Sequence, residues 1–121
     1  MSDQKLSLAD VEKNWYDRYT KYYRENKPSF KKLLKKAKQN ISDFKKYDLE
    51  EFNQTKNLLG DMHDKYIAPF KQYLDRNNIN EGIVAKTKDK NETQLLKWFG
   101  DLVERRRKLN DLAQEINKLL V

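Results

Sequence analysis

Eight lysines and one acidic residue occupy residues 27–47, the stretch KPSFKKLLKKAKQNISDFKKY. The charge of this segment sums to +7, the net charge of the whole chain, because residues 1–26 and residues 48–121 are each balanced. Ammonium groups at this density attract polyanions such as nucleic acid, whose phosphates release counterions on contact. The predicted anion-binding residues are Lys31, Lys32, Lys35, Lys36, Lys38, Lys45 and Lys46.

Two features favour an anion-binding face over a merely solvated one. Few of these lysines have an acid four residues away, whereas other segments do, as at Asp61 and Lys65. Lys31 and Lys32 would also lie in the first turn of a helix that starts at residue 30. The helix dipole disfavours a cation there by about 0.3–1 kcal/mol. A sequence that accepts this cost in one segment suggests an anionic partner.

The backbone of a nucleic acid is the first-choice partner. Lysine rather than arginine dominates the segment, which favours phosphate contacts and argues against base reading. Tyr16, Tyr19 and Tyr23 follow an i, i+3, i+7 spacing in the preceding segment and could stack on bases. The same spacing more often places tyrosines at the rim of a core.

Three other partners stay open. An acidic or helical protein could bind through exposed apolar helix stripes, which would make the chain an adaptor or an inhibitor. A basic amphipathic helix could also lie on an anionic membrane surface, although the segment lacks Trp. Because the composition is polar, with 37% charged residues, association with a second copy is the third alternative.

Two short strings resemble the signals of WXG-type helical proteins exported by type VII secretion. Trp98, Phe99 and Gly100 match the tripeptide, and Tyr47 with Glu51 matches a YxxxE arrangement. The order differs from that of the family, which places the tripeptide between its helices and the tyrosine signal after the second helix. We therefore assign no family and keep a helical secretion partner among the protein partners.

Other residues offer little chemistry. The chain has no Cys, one His and no Gly-rich phosphate loop, so we predict no enzyme, no cofactor and no metal site. His63 is adjacent to Asp64 and two residues from Asp61, positions that point around a helix rather than at one ion. Arg105–Lys108 form a basic run, but acids one turn away predict an ion-paired surface.

Apolar residues at three- and four-residue steps predict an all-α fold of about four helices. The predicted helices cover residues 7–26, 30–47, 48–75 and 92–120, and residues 76–91 form an internal loop. Pro28 should end the first helix because the residue before a proline avoids the helical region. The apolar phase slips at residues 47–48, which predicts a kink or a tight turn, and one unbroken helix through these residues is the alternative. Pro69 should bend or end the third helix.

Heptad spacing from Phe30 to Phe44 is typical of coiled-coil packing, so we expect a small helical bundle or an elongated hairpin. The length of 121 residues suits a single domain. No apolar run approaches the roughly 18 residues of a membrane span. The polar N-terminal sequence shows no secretory signal, so the expected location is cytoplasmic.

Overall fold

The computed structural model describes residues 6–121, and its first helix, α1, occupies residues 8–39. Ser7 and Asp10 cap its start: the Asp10 backbone N–H donates to Ser7 Oγ at 3.1 Å, and the Ser7 N–H donates to the Asp10 carboxylate. A π-helical turn, Glu12–Tyr16, separates Leu8–Val11 from the long α-helical part, Asp17–Gln39.

Pro28 does not end this helix, so the predicted boundary at residue 26 is wrong. Proline lacks the N–H that would bond to the Arg24 carbonyl, a defect that costs about 3 kcal/mol in a helix interior. The helix continues because residues on both sides of Pro28 are buried in one core, including Tyr22 and Phe30. Packing of this kind routinely overrides local propensity.

The first break in the chain lies at Asn40, whose backbone is extended (φ −159°, ψ 97°). Its side-chain oxygen accepts a hydrogen bond from the Asp43 N–H at 3.1 Å and so caps the second helix, α2. The predicted helix over residues 30–47 is therefore wrong, because Asn40 divides it. α2 covers residues 41–76 without interruption.

Two π-helical turns within α2 replace the predicted kinks. The phase slip at residues 47–48 lies in the turn Phe44–Asp48. The second turn, His63–Ile67, ends two residues before Pro69, which occupies the start of Ala68–Arg76. A π turn holds one extra residue, so it shifts the apolar stripe without ending the helix.

Residues 77–80 form the turn after α2. A two-turn helix, α3 (Glu81–Thr87), follows, capped by Asn80, so the prediction of a structureless loop over residues 76–91 is wrong in part. The last helix, α4 (Lys90–Leu120), is capped by Asp89. The four helices and the absence of strands across residues 6–121 confirm the all-α fold.

α1 and α4 run in the same direction and make the largest helix–helix contact. Tyr16 packs on Trp98 near their starts, with ring centroids 5.3 Å apart. Leu34 and Leu112 line one groove near their ends. This pairing forms one side of the bundle.

α2 runs in the opposite direction and fills the other side. Trp15 stacks on Phe70 with ring centroids 5.4 Å apart, and Phe70 meets Phe99 edge-on at the same distance. Nearer to Asn40, the rings of Phe44 and Phe52 lie 5.9 Å apart. The three long helices thus share one aromatic core, as in a small bundle. No helix within residues 6–121 has the length and apolar character needed to cross a bilayer.

Candidate anion-binding surface

The seven predicted lysines, here called the lysine surface, gather at the end of the bundle where α1 passes into α2. Lys31, Lys32, Lys35, Lys36 and Lys38 belong to α1, and Lys45 and Lys46 belong to α2. The break at Asn40 means that they form two neighbouring edges rather than one continuous line.

Six of the seven lysines are exposed and make no ion pair within residues 6–121. The exception is Lys36, whose Nζ lies 3.3 Å from the carboxylate of Asp48. Asp48 is largely buried, so this pair connects α1 to the π turn of α2. We interpret Lys36 as a structural contact and the other six as the free cations of the surface.

The prediction that Lys31 and Lys32 lie in the first turn of a helix is wrong, because α1 begins at residue 8 and both residues lie deep inside it. Lys36 and Lys38 lie in the last turn, where the carbonyl end of the dipole stabilises cations. The helix dipole therefore gives no evidence of strain, and the case for a partner depends on the clustering of six exposed lysines that make no ion pair within residues 6–121.

The α1 edge of the surface faces α4 across two shallow grooves. Lys31, Lys35 and Lys38 line a groove of about 500 Å³ whose floor includes Leu112. The adjoining groove is lined by three lysines, Lys31 among them, and by two acids of α4, Asp111 and Glu115. The groove with Lys35 and Lys38 contains no acid, so its lining carries the larger net positive charge.

The α2 edge carries an aromatic side chain that the sequence analysis did not assign to this surface. Tyr47 is 70% exposed, and the Nζ of Lys46 lies 5.4 Å from its ring centroid. Both line a groove with Lys45 and Leu49. The sequence contained a signal for this position: Tyr47 lies outside the heptad set from Phe30 to Phe44 and directly follows two lysines.

The tyrosines predicted to stack on bases, Tyr16, Tyr19 and Tyr23, lie on α1 before the lysine surface and are buried or partly buried. Tyr19 is fully buried, so its predicted stacking role is wrong. Tyr16 is covered by Trp98 and by Arg105, whose guanidinium carbon lies 5.2 Å from the ring centroid. Tyr23 is half-buried, and the Nζ of Lys27 lies 5.3 Å from its ring centroid.

The run Arg105–Lys108 is ion-paired in part. Arg107 binds Glu104 and Asp111, and the paired guanidinium lowers the pKa of the Glu104 carboxyl. Arg105 donates to Thr20 Oγ1 at 2.8 Å instead of pairing with an acid. Arg105 therefore holds α4 against α1, and Arg107 stays bound to acids on α4. Lys108 makes no ion pair within residues 6–121 and lines the groove that contains Lys31.

His63 has an acidic neighbour but no metal-binding set around it. Its Nδ1 lies 3.1 Å from the Asp64 carboxylate. The part of the chain that the structure describes contains no group of three His, Cys, Asp or Glu side chains arranged to hold an ion.

No family model matches the sequence, and the searches of curated proteins and of solved structures return no significant match. The function must therefore be argued from the lysine surface itself.

Proposed function

We propose that the protein binds the phosphate backbone of nucleic acid, without reading sequence, through the exposed lysines at the α1–α2 end of the bundle. The observation that carries the proposal is the cluster of six exposed lysines without ion-pair partners among residues 6–121. Clustered like charges repel one another, and phosphates remove that repulsion while releasing their own counterions.

The spacing of the α1 edge suits a phosphate backbone. Lys31 and Lys38 are about 10 Å apart along the axis at 1.5 Å per residue. Measured along the axis of a B-form duplex, where each strand has one phosphate about every 3.4 Å, that distance corresponds to about three phosphate steps. Lys31, Lys35 and Lys38 thus supply roughly one ammonium group for each phosphate. Lysine binds phosphate as a point charge and offers no fixed fork for base edges, which favours binding independent of sequence.

The exposed position of Tyr47 supports binding of single-stranded as well as double-stranded nucleic acid. An exposed ring beside Lys45 and Lys46 can stack on an unpaired base, a contact worth about 1–3 kcal/mol. A duplex would present only phosphates to the same edge. We therefore expect a single strand to gain from Tyr47 and a duplex not to.

The apolar side of the α1 edge argues against the membrane alternative. Phe30, Leu33 and Ala37 are buried in the bundle core, at most 2% exposed. A helix that binds lipid needs its apolar face free to enter the headgroup region. The lysines would have to bind lipid headgroups with little apolar surface beside them.

The test is fluorescence anisotropy of labelled single- and double-stranded oligonucleotides over a series of salt concentrations. The variant K31Q/K35Q/K38Q removes three charges from the α1 edge. The control K86Q/K90Q/K97Q removes three charges from exposed positions on α3 and at the start of α4, at the other end of the bundle. We expect affinity to fall with salt, and the slope of log K against log salt to shrink by about 3 for duplex in the first variant only.

Two results would overturn the proposal. One is the absence of binding by the unmodified protein at low salt. The other is an equal loss of affinity in both triple variants, which would show attraction by net charge and not by this surface.

A further inference from the structure

A second groove lies between α2 and α4, on a different face from the lysine surface. It has a volume of about 630 Å³, within the range of small-molecule sites. Its lining extends from Phe99 to Asn110 on α4, a length of about 16 Å. The groove is thus large enough for a chain-like or ring-containing ligand.

The floor of the groove is apolar. Ile67 and Ala68 contribute from α2, and Phe99 and Val103 contribute from α4. Val103 is 45% exposed, although it is a β-branched residue in the middle of a long helix. Covering this floor with an apolar body would remove hydrocarbon surface from water.

The charged rim contains one cation that differs from the others. Lys71 pairs with Asp75, and the Arg107 side chain pairs with two acids. Arg106 also lines the groove but makes no ion pair within residues 6–121. Its Nε is buried and has no hydrogen-bond partner among those residues.

Because the Nε has almost no accessible surface, the terminal nitrogens of the Arg106 guanidinium are the atoms that a ligand in the groove can reach. These two nitrogens present parallel N–H donors that match the two oxygens of a carboxylate. Arg106 therefore specifies the chemistry that this groove lacks: an anionic, planar acceptor next to an apolar body.

We infer that the α2–α4 groove binds a small amphipathic carboxylate, with its carboxylate on Arg106 and its apolar part over Phe99, Val103 and Ile67. Charge complementarity at Arg106 distinguishes this ligand from a neutral or cationic amphiphile. The inference does not depend on the proposed binding of nucleic acid, since the two surfaces share no residue.

The experiment titrates the full chain with decanoate, decanol and decylamine, each below its micelle concentration. Isothermal titration calorimetry gives the affinity, and ¹H–¹⁵N NMR locates the binding. We expect decanoate to bind at least about tenfold more tightly than the other two, since only it forms charge-assisted bonds with Arg106. Amide shifts should concentrate around Phe99, Val103 and Arg106.

Three variants make the result specific. R106Q should weaken decanoate at least about tenfold, because it removes the charge and the paired donors. R18Q removes an exposed arginine on α1 and should leave the affinity unchanged. The variant K31Q/K35Q/K38Q should also retain decanoate binding, which separates this inference from the nucleic-acid proposal.

Equal affinities for decanoate and decylamine would overturn the inference, because binding would then be apolar only. An unchanged affinity in R106Q, or amide shifts confined to the lysine surface, would overturn it as well.

Discussion

Replacement of Pro28 by Ala should stabilise the protein, and this tests the most unexpected feature of the fold. Pro28 is exposed in the interior of α1, where proline costs about 3 kcal/mol relative to alanine. Replacement by alanine also destabilises the folded state by about 0.4–1 kcal/mol, because the unfolded chain gains conformational freedom. The expected net increase in the free energy of unfolding is about 2 kcal/mol.

The gain is large enough to measure by heat. An unfolding entropy of about 2.1 cal/mol/K per residue gives about 0.25 kcal/mol/K for this chain, so P28A should raise the Tm by about 8 °C. Circular dichroism and calorimetry should report the same transition. P69A is the matched control. Pro69 is half-buried and follows a π turn, so its replacement removes packing and should gain less than half as much.

The opposite outcome is equally clear. If α1 ended at Pro28, as the sequence alone predicts, the proline would occupy a helix boundary, where its fixed φ is favourable. Alanine would then leave the Tm unchanged or lower it. A Tm of P28A at or below that of the unmodified protein would refute the continuous helix and, with it, the placement of the α1 lysines.

Other predictions concern the cap and the buried tyrosines. Asn40→Ala should lower the free energy of unfolding in urea by about 1 kcal/mol while Asn40→Asp retains it; equal losses would exclude the cap. Tyr19→Phe should add about 1 kcal/mol, because the buried hydroxyl has no partner among residues 6–121, whereas Tyr23→Phe should be neutral; a loss at Tyr19 would contradict this. Burial raises the pKa of Tyr22 to about 12 from 10.0 and that of Tyr19 further. Since the folded pKa values are raised, stability is complete below pH 10 and falls as pH rises toward 12; urea midpoints that stay constant over this range would be inconsistent with buried phenols.

The core could be predicted from the spacing of apolar residues, because spacing reports directly which side of a helix is buried. Val11, Tyr19 and Tyr22 follow such three- and four-residue steps in the first predicted helix, and all three are buried. Phe30 and Phe44 also share a predicted stripe and are both buried, although the chain breaks between them at Asn40. Periodicity thus identifies the buried face without showing whether the helix is continuous.

The helix break at Asn40 had a local signal in the sequence, although Pro28 offered a stronger one elsewhere. Asn40 is followed by Asp43 at the third helical position, the same arrangement as Ser7 and Asp10 at the start of α1. In both caps the side-chain oxygen of the capping residue accepts from the backbone N–H three residues later. Pro28 has a stronger intrinsic tendency to end a helix than Asn40 has. It lies between two buried turns of α1, however, so packing decides its conformation.

Surface ion pairs were the least predictable contacts. The pair Asp61–Lys65, which has the expected i, i+4 spacing, does not form within the described part of the chain, whereas Lys71–Asp75 does. Exposed pairs contribute only about 0.2–1 kcal/mol, too little to fix long side chains that have other rotamers. Sequence spacing therefore identifies charged residues that can pair, and the fold decides which of them do.

The break at Asn40 changes what a salt titration can reveal about the lysine surface. A continuous helix would have presented all seven lysines along one line. For duplex, the expected slope of log K against log salt would then be about −6. The α1 edge alone supplies Lys31, Lys32, Lys35 and Lys38, for which the expected slope is about −3 to −4. A steeper slope requires the ligand to pass around the α1–α2 end and reach Lys45 and Lys46 as well. A flexible single strand can do this more easily than a stiff duplex. A larger contact number for single strands than for duplex would therefore locate the ligand on both edges.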